Sequence, residues 1–436
     1  MTDGAYDAFA ERLTAGSVVT DPWYDGVARF REEPVVLPAA RWRALAGAAE
    51  AVAAAYDELA GIVSDEPALL EDFFALAPTQ RAMWLASQPL WHGIARADVF
   101  VTDEGLAVTE LNSDTPTGSP EAVELGRLAH ETHDTLIDPN AKLGERFVAM
   151  AEALTRAMVD GDFPKRAGIV YPTEIPGDLS LVRLYRRWLT GAGWEVVLGS
   201  PFNLGRDEGG RATLFDRPVS LVVRHYKTDW WGERASVWTD ESIPDVDPLV
   251  EPLRHLLGAS VERRTAVLNP FGAVLTQNKR AMAFMWEHVH RFSPGAQTAI
   301  ERFVPYTARV EAMHPEMLRT QRERWVLKSD YGAEGDEVIL GPLTPQAEWE
   351  RCLNLARPGR WVAQRWFEAE RSPAGEATNY GVFLVAGEAA GLYLRAHPGA
   401  TDAGAVSVGC LVEHSSSASD DVLASDRTSA THYAHG

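Results

Sequence analysis

The chain has 436 residues, of which 46% are hydrophobic and 24% charged, and its formal net charge is −21 at pH 7. This length and composition predict a globular protein that buries a large core and divides into two or three regions. Because no cluster of Lys and Arg offsets the acidic excess, nucleic acid and anionic membranes are excluded as principal partners.

The two cysteines, Cys352 and Cys410, lack metal-ligand spacing, so neither a disulfide framework nor a zinc site is expected. The N-terminus shows no basic segment followed by an apolar run, and no uninterrupted apolar stretch of about 18 residues occurs elsewhere. We therefore expect a soluble, cytoplasmic protein with no membrane partner.

The first predicted elements are helices between residues 38 and 90, where apolar residues recur at a spacing of three to four. A hairpin follows, with strands at residues 95–101 and 106–111 around the turn at 103–105. Alternation along the second strand places Glu110 and Asn112 on one face, and pairing of the strands brings Asp98 close to Glu110.

These three side chains predict a magnesium site, because Mg²⁺ takes one or two carboxylates together with water and substrate phosphates. The proposed ligands are Asp98, Glu110 and Asn112. The alternative is a surface hairpin whose polar face is simply solvated.

From residue 166 the pattern changes to strand (167–171), helix (178–189) and strand (193–198), which fits a parallel βαβ unit. A further apolar strand, 219–224, ends in an aromatic and polar cluster at residues 225–233. Ligands bind at the carboxyl ends of strands in open α/β sheets, so this cluster is a candidate substrate surface. It is equally consistent with an aromatic cap on the core.

The third region, residues 265–412, contains two informative lysines in a chain with only five. Lys328 ends a strand before a turn that carries Gly332 and Gly335, where backbone amides can approach phosphate. Lys279 directly precedes the helix 280–286 and so lies at its N-terminus, where the helix dipole and free backbone N–H groups favour anions. Taken alone, the glycine turn is also what an ordinary hairpin contains.

Further along, the strand 360–364 leads into a segment suited to contacts with adenine, with Gln364 at its end. An ordinary solvated glutamine is the alternative. A hairpin at 380–395 then brings Arg395 to a strand end, where a guanidinium can stabilise charge on a transferred phosphoryl group. The Ser- and Asp-rich tail after Glu413 is expected to be mobile.

The third region resembles the nucleotide half of an ATP-grasp enzyme, because it carries a lysine, a lysine with a glycine turn, a glutamine and an arginine in this order. In the usual ATP-grasp order the acidic metal ligands come last, whereas here they come first. The chain thus resembles a circularly permuted ATP-grasp protein, and the run Glu-Leu-Asn-Ser-Asp-Thr-Pro at 110–116 is similar to the glutathionylspermidine synthase family. The likeness covers most of residues 85–412. It implies an α/β (α+β) fold, a circularly permuted ATP-grasp core with an inserted βαβ substrate domain.

This organisation divides the chain into five regions. They are a mainly helical region at 1–90, a metal-binding part of the core at 91–160, a βαβ substrate domain at 165–265, a nucleotide-binding lid and core at 266–412, and the polar tail at 413–436.

The resemblance implies an ADP-forming ligase that uses ATP and Mg²⁺ to join a small-molecule or peptide carboxylate to an amine through an acyl phosphate. Its residues fall into four groups. The resemblance implies Asp98, Glu110 and Asn112 at the metal; Lys279, Lys328, Gly332, Gly335 and Gln364 at ATP; Arg96 and Arg395 at the reacting groups; and Thr115, Thr117, Asp229 and Glu233 at the acid or amine.

Two departures from the family pattern leave alternatives open. Ala333 stands where the family's glycine loop has Arg, and the sequence has neither the length nor a suitable cysteine for the amidase domain of the bifunctional members. An ATP-grasp kinase acting on a small molecule and a nucleotide-binding protein with reduced turnover are the competing interpretations. The sequence does not name the acid or the amine.

Overall fold

The computed structural model describes residues 3–233, 249–332, 338–356, 358–399 and 405–414. Its helices are α1 Asp3–Ala15, α2 Ala39–Asp65, α3 Leu69–Asp72, α4 Pro78–Ser87, α5 Ser119–Thr132, α6 Leu143–Met158, α7 Leu179–Gly191, α8 Thr228–Glu233, α9 Val250–Val261, α10 Ala273–Thr276, α11 Arg280–Glu287, α12 Pro294–Phe303, α13 Pro315–Thr320 and α14 Gln346–Leu355. Short 3₁₀ turns lie at Pro176–Asp178, Pro201–Asn203, Val289–Arg291, Val310–Ala312, Arg322–Arg324 and Gly341–Leu343.

The strands complete the secondary structure of the described ranges. They are β1 Trp23–Tyr24, β2 Val27–Ala28, β3 Phe30–Leu37, β4 Ile94–Thr102, β5 Gly105–Asn112, β6 Arg166–Val170, β7 Glu195–Gly199, β8 Leu204–Arg206, β9 Ala212–Leu214, β10 Arg217–Pro218, β11 Leu221–Arg224, β12 Ala266–Leu268, β13 Thr307–Arg309, β14 Trp325–Ser329, β15 Val338–Leu340, β16 Trp361–Arg365, β17 Ala377–Val385, β18 Glu388–His397 and β19 Val406–Val412.

A six-stranded sheet in the order β3-β19-β18-β17-β4-β5 forms the central layer, which we call the core sheet. Adjacent strands of this sheet are antiparallel, except for β19 and β3, which are parallel to each other. The sheet combines strands from both ends of the chain, since β4 pairs with β17. In a circularly permuted ATP-grasp core, strands from the beginning of the chain must pair with strands from its end, as they do here.

Helices cover both faces of the core sheet, and side-chain alternation along β17 explains how. Val382 and Leu384 pack in the apolar cluster that contains α2, whereas Phe383 and Val385 pack in the cluster that contains Leu143 and other residues of α6. Both faces of this strand are therefore apolar, as expected for the middle of a sheet covered on both sides.

A second sheet is fully parallel, in the order β12-β11-β6-β7, and α7 connects β6 to β7. This confirms the predicted βαβ unit. All four residues of β11 are buried, in agreement with strands that have helices on both faces. The chain leaves β11 at Arg224 and enters the aromatic cluster that the sequence analysis marked as a substrate surface.

A third, antiparallel sheet in the order β13-β16-β14-β15 has its own apolar core, and we call this unit the lid. Trp325 and Leu327 of β14 pack there with Trp349 of α14. The predicted hairpin around the glycine turn is confirmed by the pairing of Lys328 with Val338. Residues 333–337 of that turn, including Ala333 and Gly335, lie outside the described residues.

The predicted hairpin of β4 and β5 is also confirmed, because Asp98 pairs with Glu110 and Arg96 pairs with Asn112. The region before residue 90 is mainly helical, but it also contains three strands that helix-like periodicity did not predict. Strands β1 and β2 pair with each other, and β3 adds an edge strand to the core sheet.

The C-terminal tail beyond residue 414 lies outside the described residues, so its predicted mobility stays a prediction. No helix within the described ranges combines the length and the apolar character needed to cross a bilayer.

The start of α5 supplies a prediction about packing. Gly118 has φ +92°, and a Cβ atom there would lie 2.4 Å from Cδ1 of Tyr393 on β18. We expect Gly118→Ala to lower the free energy of unfolding by about 2–5 kcal/mol, because left-handed strain and overpacking add together.

The matched control is Gly26→Ala, where φ is +77° but no atom lies within 4 Å of the new Cβ. That variant carries strain alone and should lose about 1–2 kcal/mol. Urea unfolding of both proteins measures the difference, and equal losses would contradict the contact with Tyr393.

Candidate functional site

A cleft with a volume of about 880 Å³ opens where the core sheet, the parallel sheet and the lid meet. The hairpin β4–β5 contributes acidic and amide side chains, the lid contributes Lys328 and Gln364, and the end of β11 contributes His225. A large concave site with convergent polar groups is the default place for ligand binding.

The Asp98 carboxylate is buried at the floor of this cleft and receives four hydrogen bonds. Arg96 donates from Nε to Oδ1 at 2.6 Å and from Nη2 to Oδ2 at 3.0 Å. Arg395 Nη2 and Asn379 Nδ2 also donate to Oδ2, at 2.9 and 3.1 Å. Burial alone would raise the pKa of Asp98, but the two guanidinium groups hold that pKa below its ordinary value.

The Arg96 guanidinium shows the reciprocal effect. Burial opposes its charge, yet the adjacent Asp98 carboxylate raises the pKa of Arg96 above its ordinary value. Arg96 Nη1 also donates to the carbonyl oxygen of Thr117 at 2.8 Å. The two predicted catalytic arginines are thus fixed to one carboxylate, and both line the cleft.

Glu110 and Asn112 lie side by side on the cleft wall, as strand alternation predicted. Asn112 Nδ2 donates to Glu110 Oε1 at 3.1 Å, and Lys279 Nζ lies 3.8 Å from Glu110 Oε2. The Glu110 side chain is 28% exposed, so its oxygens are accessible from the cleft. Together the two residues present hard oxygen donors of the kind that Mg²⁺ prefers.

Within the part of the chain that the structure describes, no group of three or more His, Cys, Asp or Glu side chains assembles a metal site. The acidic hairpin is therefore not a protein-only metal cage. It suits a cation that takes its remaining ligands from water and from phosphate, as Mg²⁺ does in nucleotide sites.

The two predicted lysines approach this wall from the lid side. Lys279 Nζ donates to the carbonyl oxygen of Gly332 at 2.5 Å, beside the glycine turn. Lys328 Nζ donates to Gln364 Oε1 at 2.8 Å and to the Thr109 carbonyl oxygen at 3.3 Å. Removal from water lowers the pKa of Lys328 to about 8.

Gln364 holds Lys328 in place. Its Nε2 donates to Thr307 Oγ1 at 3.1 Å, so the amide bridges β14 and β13 beneath the cleft. The predicted contact between Gln364 and adenine stays a prediction. The structure adds a positioning contact to Lys328 that the sequence did not indicate.

The loop after β5 is fastened to the parallel sheet by a buried ion pair. Asp114 Oδ1 lies 2.6 Å from Arg224 Nη2, and the two side chains are 2% and 0% exposed. Asp114 Oδ2 accepts hydrogen bonds from the backbone N and Oγ1 of Thr228, at 2.7 and 3.1 Å. The hairpin and the substrate surface therefore share one rigid connection.

Two amide side chains hold the same loop from below. Asn269 Nδ2 donates to the carbonyl oxygens of Ser113 and Asp114, at 3.0 and 2.9 Å. Gln277 Oε1 accepts from the backbone N of the same two residues, at 3.0 and 3.2 Å. With its backbone satisfied in this way, the loop presents Thr115 and Thr117 to the cleft.

The predicted substrate surface lines the opposite end of the cleft. Asp229 and Trp230 are among its lining residues, and Lys227 Nζ lies 4.9 Å from the ring centroid of Trp230. His225 Nε2 lies 3.2 Å from Asp178 Oδ2, and both residues line the cleft. The side chain of Glu233 lies outside the described residues, so its predicted role stays a prediction.

The structure thus brings most of the predicted site residues together. The cleft is lined by Arg96, Asp98, Glu110, Asn112, Thr115, Thr117, Asp229, Lys328, Gly332, Gln364 and Arg395. Lys279 lies against this wall through Glu110. Gly335 falls outside the described residues. The individual roles of these residues stay predictions.

Several cleft residues were not found from the sequence. Asn379 on β17 lies opposite Arg395 on β18, and like Arg395 it donates a hydrogen bond to Asp98. Arg360 lies beside the glycine turn, with Nε 2.6 Å from Asp330 Oδ2. Asp178 reaches the cleft from the start of α7. Only knowledge of strand pairing and of the layer arrangement could have identified them.

Comparisons with known proteins agree with this architecture. A family model described as glutathionylspermidine synthase preATP-grasp matches residues 74–413. No curated protein matches the sequence. Among solved structures, the apo form of a glutathione synthetase-like effector from Globodera pallida is similar, with a TM-score of 0.58 and 11% identity over 92% of this chain and 94% of that chain.

A putative gamma-glutamylcysteine synthetase from Methylobacillus flagellatus KT matches with a TM-score of 0.44 and 13% identity, over 80% of this chain and 83% of that chain. At 11% identity, the likeness to the Globodera pallida protein shows a shared fold.

The buried pair of Asp114 and Arg224 generates a stability prediction. Asp114→Asn keeps the size of the side chain but leaves a fully buried guanidinium without its carboxylate, so we expect a loss of about 3–5 kcal/mol in the free energy of unfolding. Chemical denaturation measures the loss.

The control is Asp160→Asn, because Asp160 pairs with Arg263 at 2.8 Å where both side chains are about half exposed. Removing that exposed pair should cost no more than about 1 kcal/mol. A loss at Asp114 as small as the loss at Asp160 would show that the buried pair does not fasten the loop.

Proposed function

This chain belongs to the glutathionylspermidine synthase family, and we propose that it is an ATP- and Mg²⁺-dependent ligase that joins a carboxylate to an amine. The family indicates ligase activity and the ATP-grasp fold, and the mixed α/β architecture agrees with that fold. The reaction type, the cofactors and the residue roles given below belong to our proposal.

One observation carries the proposal. A single cleft gathers hard oxygen donors on the β4–β5 hairpin, Lys328 on the lid with Lys279 beside Glu110, and two arginines fixed to one buried carboxylate. Metal-bridged phosphates need the first two sets. A carboxyl group that takes up a phosphoryl group needs the third, because positive charge must face the developing negative charge.

The residues fit Mg²⁺ because accessible oxygens of Glu110 and Asn112 face the cleft beside Lys279. Asp98 would complete the set through Oδ1, which accepts one hydrogen bond, whereas its Oδ2 accepts three. When bound, the metal ion would offset phosphate charge and orient the γ-phosphate of ATP.

The protein groups would act in sequence on ATP, the acid and the amine. Lys279 and Lys328 would bind the phosphates of ATP, with Gly332 beside them at the glycine turn. Arg96 and Arg395 would hold the acid so that its carboxylate oxygen attacks the γ-phosphorus, which gives an acyl phosphate and ADP. Attack by the amine on the acyl carbon then forms the amide and releases phosphate.

The ends of the cleft suggest where each substrate lies. Thr115 and Thr117 follow the hairpin and lie close to Arg96, which donates to the Thr117 carbonyl oxygen, so they would contact the acid. Asp229, at the end formed by the parallel sheet, would receive the ammonium of the amine, and Glu233 is a further candidate.

The test is a screen for Mg²⁺-dependent ADP release with glutathione and other short peptides as acids, and with polyamines and amino acids as amines. For any active pair, the acid is labelled with ¹⁸O in its carboxylate. Transfer of one ¹⁸O into phosphate is the result expected of a ligase. A stable phosphorylated product without that transfer would identify a kinase instead.

Glu110→Ala supplies a prediction about the metal. We expect a fall in Mg²⁺-supported kcat of about 100-fold or more, because one carboxylate ligand is lost, with little change in thermal stability. Glu104→Ala is the matched control, since Glu104 lies exposed at the turn of the same hairpin. Full turnover in Glu110→Ala would refute the assigned metal site.

The pKa of Lys328 predicts how ATP binding depends on pH. In the free protein this pKa is about 8, so the ammonium is charged below pH 8 and is lost as the pH rises through that value. Phosphate requires the charged form, so binding should take up a proton above pH 8. The Kd for MgATP should rise by up to about tenfold per pH unit there.

Calorimetry between pH 7 and 9, in two buffers of different ionisation enthalpy, measures both the Kd and the proton uptake. Lys328→Met should bind more weakly and lose the pH dependence. Lys165→Met removes an exposed lysine paired with Glu152 at 2.7 Å and should behave as the wild type. A wild-type Kd that is constant from pH 7 to 9 would contradict the prediction.

A further inference from the structure

The histidine–carboxylate pair of His225 and Asp178 lies in the cleft and has no role in the reaction as proposed above. His225 directly follows β11, and its backbone N donates to the Val170 carbonyl oxygen at 2.7 Å. Its side chain is 5% exposed, with Nε2 at 3.2 Å from Asp178 Oδ2. Both residues line the cleft. The imidazole is therefore held beside the Asp178 carboxylate in the part of the cleft formed by the parallel sheet.

The nearest arginine does not contact this imidazole. Arg224, one residue earlier, donates to the carbonyl oxygens of Asn269 and Pro270, and successive residues of an extended segment point to opposite sides. Among the described residues, the carboxylate contact of the His225 ring is made at Nε2, with Asp178, and not at Nδ1. Lys227 and Asp229 line the same end of the cleft.

Amide formation requires a proton acceptor. An amine attacks an acyl phosphate as the free base, and its nitrogen then carries a positive charge until one proton leaves. Asp98 is unsuited to accept that proton, because its carboxylate already accepts four hydrogen bonds and pairs with two guanidinium groups. Glu110 faces Lys279 and the proposed metal.

Histidine suits this task because its ordinary pKa lies close to neutral pH. A carboxylate at one ring nitrogen holds the proton there, which leaves the lone pair of the other nitrogen available and stabilises the imidazolium once it forms. Asp178 Oδ2 lies 3.2 Å from Nε2 of His225, so this carboxylate is placed to stabilise the imidazolium once it forms, and Nδ1 is the accepting atom.

We propose that His225 is a catalytic residue that accepts the proton of the attacking amine, and that Asp178 positions it; this inference rests on the ligase function proposed above. The amine nitrogen forms a bond to the acyl carbon, and the bond from that carbon to the phosphate oxygen breaks, so phosphate leaves with the electron pair. One N–H proton passes to His225 Nδ1. The imidazolium then returns the proton to water.

The experiment separates the two half-reactions. Acyl phosphate formation is followed by positional isotope exchange in ATP labelled with ¹⁸O at the β,γ-bridge, with an acid of the panel, beginning with glutathione, and no amine. Amide formation is followed with spermidine, and separately with hydroxylamine. Hydroxylamine is a small, weakly basic nucleophile whose nitrogen, once bonded to the acyl carbon, is acidic enough to lose its proton directly to water.

For His225→Asn, we expect unchanged isotope exchange and unchanged hydroxamate formation, but a fall in kcat with spermidine of about 100-fold. Asp178→Asn should give a smaller fall with the same selectivity. His255→Asn is the matched control, because His255 also pairs with a carboxylate, Glu251, at 3.8 Å, but does not line the cleft. It should equal the wild type.

Two results for His225→Asn would overturn the inference. Equal losses of isotope exchange and of both amide reactions would show a structural role, and an unchanged rate with spermidine would show that another group accepts the proton. A wild-type protein without acid-dependent exchange or hydroxamate for any acid of the panel would instead overturn the proposed ligase function, and the role of His225 with it.

Discussion

The carboxylate of Asp98 lies inside the core sheet, and a buried negative charge of this kind is stable only when neighbouring groups compensate for it. Arg96 on the same strand, Asn379 on β17 and Arg395 on β18 supply that compensation. Three strands must therefore keep one register, since a shift of one residue would turn these side chains to the other face. The floor of the cleft follows from this requirement.

A second buried pair extends the same constraint to the parallel sheet. Asp114 and Arg224 connect the loop after β5 to the end of β11, so the β4–β5 hairpin and the aromatic cluster after β11 cannot move independently without separating buried charges. Lys328 differs from these residues because its described hydrogen-bond partners, Gln364 and a backbone carbonyl, are neutral. Burial lowers the pKa of its ammonium, and a bound phosphate would supply a compensating negative charge.

Local patterns were sufficient for much of the fold. The β4–β5 hairpin, the βαβ unit, the hairpin at Lys328 and the β17–β18 hairpin all follow from apolar periodicity and from turn residues between neighbouring segments. Strand β3 was not predicted, because it pairs in parallel with β19, whose residue Val412 lies opposite Leu37 and is far away in the chain. Its sequence contains no sign of that distant partner.

In the candidate site, too, some features follow from local sequence and others only from the tertiary structure. Sequence by itself determined which residue types were available and on which face of an element each one stands, because alternation in a strand depends on local geometry alone. The tertiary structure decided which of them meet: Asn379 with Asp98, Gln364 with Lys328, and Asp178 with His225. These contacts depend on the order of strands in the sheets and on the burial of charge, which are properties of the whole packed chain.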